Sequence, residues 1–210
     1  MCKDCVTVYT QHHVYYHDTD QTNTHTPTHT HLLSSPYSYM KLVFNLQNAT
    51  GGVHQDCVKD QAAGDAWRCM FANYSYAYSK TPFFPLQSAL DSWQMGNDLR
   101  DSSQCVKTKF STCTASEITT LNRYASDLMR DFRRTAKFSR KGEGGFVESC
   151  LEHVGAQSSK RFDTYTINGT TEKDALTKWW QSDGTEPAAT HWYLPCELNA
   201  AAPHQCNPSC

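Results

Sequence analysis

The clearest pattern of apolar and polar positions lies in Thr81-Pro-Phe-Phe-Pro-Leu-Gln-Ser-Ala-Leu-Asp-Ser-Trp-Gln-Met95. An apolar run holding two prolines climbs to a single carboxylate, Asp91, and Trp93 follows two positions later. The run predicts a short buried strand ending in a turn that presents one acid. In open α/β sheets ligands bind outside the carboxyl ends of the strands, so an acid there is a candidate site residue. An aspartate that caps a helix is the competing reading, and local pattern leaves both open.

The remaining pattern predicts a helix beginning within Trp93 to Arg100, and a long one from Ser116 to about Lys137. Thr114 and Glu117 have capping-box spacing. Ile118, Leu121, Ala125, Leu128, Met129 and Phe132 then fall on one face. The basic end, Arg130, Arg133, Arg134 and Lys137, suits the negative pole of the helix dipole better than it suits a nucleic-acid patch. Lys141-Gly-Glu-Gly-Gly145 breaks the helix, Gly145 to Ser149 reads as a strand, and His153 follows closely. Thr170 to Gln181 predicts a further helix with Ala175, Leu176, Trp179 and Trp180 turned inward. Upstream, Lys41 to Leu46 is read as a short strand or buried turn, and Phe71 to Tyr78 as a helix leading into the strand at Thr81.

Strand, acid, helical crossover, strand and histidine appear in the chain order Asp…His of an α/β-hydrolase triad. The chemistry needs both groups. A histidine takes the proton from a serine hydroxyl, and the carboxylate fixes its tautomer and stabilises the imidazolium. By spacing alone this is weak evidence, since Asp and His are common on loops and His153 is also readable as a simple surface residue.

Composition changes the picture at the N-terminus. Gln11 to His17 and Asn23 to His31 are rich in His and Thr and poor in apolar residues, so residues 1–38 are expected to be disordered. Alternating Thr and His is also what a CA dinucleotide repeat encodes, which makes translated non-coding sequence or a faulty gene junction the preferred explanation over metal binding. The rest suits one sizeable globular domain: 210 residues, 39% hydrophobic and 19% charged. A net charge of −2 gives no electrostatic case for nucleic acid or an anionic membrane. No apolar run reaches the roughly 20 residues of a membrane span, and no signal-peptide core is seen at the N-terminus.

The ten cysteines and the sequons at Asn48, Asn73 and Asn168 favour an oxidising, secreted history. The cysteines group as Cys57 with Cys69, Cys105 with Cys113, and a distal set of Cys150, Cys196, Cys206 and Cys210, whose pairing sequence leaves open. Cys2 and Cys5 form an isolated CxxC without a partner motif, so neither a metal nor a cofactor is expected. His54 and His204 are read as surface residues.

Residues from about 42 to 210 resemble the C-terminal half of the pectin acetylesterase/Notum carboxylesterase family. The likeness rests on Leu46 to Val53, Trp67 to Phe71, Thr81 to Met95, Gly145 to His153 and Pro203 to Cys210. It implies an incomplete α/β-hydrolase-like fold, a mostly parallel sheet with flanking helices stapled by disulfides. It further implies a secreted serine esterase acting on an acetylated polysaccharide or another ester, with Asp91 as triad acid and His153 as triad base. Trp93 then becomes a candidate wall of the acyl or sugar pocket. The likeness stops there. No Gly-x-Ser-x-Gly segment occurs in these 210 residues, and Ser88, Ser92 and Ser149 lack flanking glycines. The expectation is therefore a fragment that is inactive alone, with a non-catalytic binding module or pseudoenzyme as the alternative.

Overall fold

A computed structural model describes residues 8–9, 36–97, 103–134, 136–182, 190–193 and 207–210. The chain divides into two compact units, one of residues 13–79 and one of residues 1–12 with 80–210. Of the His/Thr-rich tract, only Val8–Tyr9 and the start of the first helix are described. Cys2, Cys5, Cys196, Cys206 and His204 lie outside the described residues.

The first unit is helical. Helices α1 (Pro36–Leu46), α2 (Gln55–Asp60) and α3 (Ala72–Ser75) alternate with single 3₁₀ turns, one of them, Tyr76–Tyr78, continuing α3. Phe71 to Tyr78 is thus helical as expected, whereas Lys41 to Leu46 is helix and not strand. Met40 and Phe44, four apart, lie on one helical face. That face packs with Trp67 and Phe71, so burial of the i, i+4 pair outweighs the strand-like run Leu-Val-Phe. Trp67 and Phe71 meet edge to face with centroids 5.9 Å apart. The Cys57–Cys69 disulfide closes the loop beneath them. His54 is half-buried beside Tyr78, not on the open surface.

The second unit carries the sheet. Strands β1 (Val8–Tyr9), β2 (Phe84–Asp91), β3 (Gly145–Glu152) and β6 (His191–Tyr193) lie in the order β1-β2-β3-β6, and every pairing is parallel. All eight residues of β2 are buried, so its apolar and polar positions do not alternate as in a strand with one solvated face. Two short helices, α4 (Ser92–Asn97) and α5 (Ser103–Lys107), follow β2. Helix α6 (Ala115–Arg133) then packs against it. The predicted capping box is present: the Glu117 N–H donates to Thr114 Oγ1 at 3.3 Å and the Thr114 N–H to Glu117 Oε2 at 2.7 Å. The helix stops before Lys137. Its basic end is neutralised locally, since Arg130 pairs with Asp127 and Asp131, and Arg134 with Asp131.

After β3 come α7 (Ser159–Thr164), a hairpin of β4 (Thr166–Ile167) and β5 (Thr170–Thr171), and α8 (Glu172–Gln181). The hairpin turn is Asn168-Gly169, both at positive φ, the pairing that a type I′ turn demands. Phe84 and Leu86 share one face of β2 and meet Phe146, Ile167, Ala175 and Trp179 in a single core. Trp180 was expected inward with Trp179, but it is 51% exposed; one residue along a helix turns the side chain by about 100°.

The glycine turn before β3 ties these elements together. Glu143 is fully buried there; its carboxylate takes the Phe83 N–H at 2.9 Å and Arg140 Nη2 at 2.8 Å. Trp179 Nε1 donates to the Gly142 carbonyl at 2.7 Å. Disulfides join Cys105 to Cys113 and Cys150 to Cys210. Among the described residues no helix is long and apolar enough to cross a membrane.

Candidate active site

The site stands where β2 and β3 end side by side. Asp91, the last residue of β2, is 4% exposed, and its two oxygens face different partners. Oδ1 accepts the Gln94 N–H at 2.9 Å, so Asp91 caps α4. Oδ2 lies 2.9 Å from His153 Nδ1. An acceptor-only carboxylate at that distance requires the proton on Nδ1, which makes Nε2 the basic nitrogen of the ring. The carboxylate thus does two jobs, capping a helix with one oxygen and holding an imidazole with the other. Gln87 Nε2 stands farther off, 3.5 Å from Oδ2.

His153 follows β3 directly, with its side chain 24% exposed. Trp93, on the first turn of α4, stacks on the imidazole at 6.1 Å with the planes 28° apart. Val154, next in the chain, has left-handed backbone at φ 50° and ψ 45°. That region is a genuine outlier for a β-branched residue. It turns the chain sharply out of the strand into a 3₁₀ turn at Gly155–Gln157.

A small cleft beside the pair is lined by Gln87, Ser88, Asp91, Glu148, His153 and Glu172, among others. Burial raises the Glu148 carboxyl well above its usual range, and the nearby Glu172 and Glu152 carboxylates push the same way. Burial, aided by Glu152, lifts Glu172 to about 7. Glu172 Oε2 has no hydrogen-bond partner among the described residues. Glu152 is balanced by an ion pair with Arg161. The sequence reading missed Glu148 and Glu172. For Glu148 a signal existed: it interrupts the apolar run Phe146 to Leu151 in a strand buried on both faces.

Neither buried serine of these strands is placed as a nucleophile. The Ser88 hydroxyl donates to the Cys150 carbonyl and accepts the Leu90 N–H, so it is engaged by the backbone of both strands. Ser149 is enclosed within β3. The ligand atoms of Glu148, Cys150 and Cys210 cluster, but both sulfurs are spent in one disulfide and offer no thiolate to a metal.

The family model described as Pectinacetylesterase matches residues 19–210, nearly the whole chain. The chain belongs to the pectinacetylesterase family. Pectin acetylesterase 4 of Arabidopsis thaliana is 26% identical over 182 residues, covering 82% of this chain and 40% of its own length. Pectin acetylesterase 5 of the same plant is 26% identical over 185 residues, covering 82% and 39%. The chain therefore spans about two fifths of these relatives. Among solved structures, one crystal form of the Wnt deacylase Notum from Drosophila superposes with a TM-score of 0.61 at 20% identity, over 88% of this chain and 44% of that one. A second form gives 0.53 at 21% identity, over 75% and 38%. This likeness establishes the fold, α/β-hydrolase-like with a mostly parallel sheet. The pectinacetylesterase match also begins earlier than residue 42, reaching into the His/Thr-rich tract.

Proposed function

We propose that this chain supplies the acid and base of a secreted serine carboxylic-ester hydrolase that removes acetyl groups from a polysaccharide such as pectin. The observation that carries the reading is the 2.9 Å contact between His153 Nδ1 and Asp91 Oδ2 at the carboxyl ends of adjacent parallel strands. Family membership and the names of the Arabidopsis relatives support the reaction class. The three disulfides among the described residues and the exposed sequon residues Asn48 and Asn168 support an extracellular setting.

In this reading His153 Nε2 takes the proton from a serine hydroxyl as it attacks the ester carbonyl, then returns it to the departing sugar oxygen. Asp91 holds the ring in the Nδ1–H tautomer and stabilises the imidazolium. Trp93, 43% exposed beside the imidazole, forms one wall of the acyl or sugar site. The nucleophile and oxyanion donors come from sequence outside these 210 residues, since no Gly-x-Ser-x-Gly elbow occurs within them. Loss of a triad serine costs on the order of 10⁶ in turnover, so the isolated chain is inactive.

The absent elbow equally favours a second reading, a non-catalytic module that keeps the half-fold for binding. Hydrolysis of p-nitrophenyl acetate separates the two. The purified chain releases no nitrophenol above background, whereas a longer product of the same gene carrying the elbow does so and loses it on His153→Ala. A longer, elbow-bearing product that is folded and inert supports the binding module. Hydrolysis by the 210-residue chain that His153→Ala abolishes would overturn the assignment of the nucleophile.

A further inference from the structure

We propose that Ser88 and Glu148 are positioning residues for His153, holding a one-residue bulge in β3 that brings the histidine level with Asp91. The inference rests on the reading of Asp91 and His153 as acid and base. The register shows the bulge. Ser88 faces Glu148, but Leu90 faces Leu151, so two steps along β2 match three along β3. Without the extra residue Asp91 would face Leu151, leaving His153 two residues beyond, roughly 7 Å along the strand. With it Asp91 faces Glu152, and His153 is the next residue. The bulge thus moves the imidazole about 3.3 Å toward the carboxylate and reverses the parity of the strand end.

A bulge breaks the ladder and leaves main-chain groups unpaired, a serious cost in a strand closed to water. Here side chains take up those groups. The Cys150 N–H donates to Glu148 Oε2, the Ser88 hydroxyl donates to the Cys150 carbonyl, and the Leu90 N–H donates to Ser88 Oγ at 2.9 Å. Ser88 and Glu148 are both buried, and Cys150 is also tied to Cys210. The burial of both side chains is thereby accounted for, and both sit in the wall of the cleft that contains His153. Glutamine keeps a side-chain carbonyl oxygen in place to accept the Cys150 N–H.

The test uses the 210-residue chain and long-range ¹H–¹⁵N spectra of the His153 ring, which report the tautomer without any need for activity. The wild-type chain shows the Nδ1–H form. Ser88→Ala and Glu148→Leu, shown to be folded by circular dichroism and cooperative unfolding, lose that preference and revert to the Nε2–H form of free imidazole. Glu148→Gln retains it. Unchanged spectra in folded Ser88→Ala, or in folded Glu148→Leu, overturn the proposal. If Glu148→Leu does not fold, Ser88→Ala and Glu148→Gln decide, and loss of the Nδ1–H form in Glu148→Gln counts against it. A wild-type chain that lacks the Nδ1–H form instead overturns the acid–base reading itself.

Discussion

Because the two oxygens of Asp91 face different partners, two substitutions separate their contributions. Asp91→Ala removes the acceptor for the Gln94 N–H, a helix cap worth about 1 kcal/mol. It also leaves the half-buried His153 Nδ1–H without its acceptor, a further loss of about 1–2 kcal/mol. The sum is about 2–3 kcal/mol of unfolding free energy, a large share of what a domain of this size has to spare. Asp91→Asn keeps an amide oxygen for the cap, and asparagine ranks beside aspartate as an N-cap. Its cost is confined to the imidazole side, about 1 kcal/mol, because the amide can still donate to Nδ1 if the ring changes tautomer. Urea unfolding followed by far-UV circular dichroism under oxidising conditions reads the difference. The expected result is an alanine variant less stable than the asparagine variant by about 1–2 kcal/mol. Equal losses would refute the capping role, and no loss in either would mean that neither contact stabilises the folded chain.

Other perturbations test other parts of the framework. A Cβ at Gly144 would stand 2.6 Å from Phe84 Cδ2, 2.7 Å from Trp179 Cδ1 and 2.8 Å from the Thr190 carbonyl, so Gly144→Ala is expected to cost about 3 kcal/mol in thermal or urea unfolding. Val154→Gly frees a β-branched residue from left-handed backbone and is expected to raise stability by about 1 kcal/mol, while Val154→Ala, still in that region, gains little. Glu172 titrates near 7 in the folded chain against 4.5 ordinarily, so the fold favours its neutral form. Its contribution is complete below pH 4.5 and is lost as pH rises toward and through 7, worth up to roughly 3 kcal/mol. Glu172→Gln should therefore unfold at higher urea than the parent at pH 8 and at nearly the same urea at pH 4; parallel pH curves would count against the burial of an acid there.

How much of this could be read from sequence follows from what each signal depends on. The strand ending at Asp91, the capping box at Thr114 and the strand before His153 are local patterns, and local patterns survived. Cys57 with Cys69 and Cys105 with Cys113 paired as grouped, since each spans a short loop. The bulge at Ser149–Cys150 was invisible because it belongs to a pair of strands and not to either one. Glu143 and Glu172 carry no local mark of burial, because the groups that enclose them are distant in sequence, whereas Glu148 is marked by the apolar run it interrupts. Asn168-Gly169 carried a hairpin signal that was read only as a sequon; its strands have two residues each, too few for alternation to show. Lys41 to Leu46 failed for a related reason, since Leu-Val-Phe resembles a strand until Met40 and Trp67 reveal which period matters.

The central claim is that Asp91 fixes the tautomer of His153 so that Nε2 is the base. The most direct measurement is the ¹⁵N chemical shifts of that ring near neutral pH, in the native chain and in Asp91→Asn. The account predicts the Nδ1–H form in the native chain and a switch to the Nε2–H form in the variant, whose amide donates where the carboxylate accepted. An Nε2–H ring in the native chain, or the same tautomer in both proteins, would contradict it.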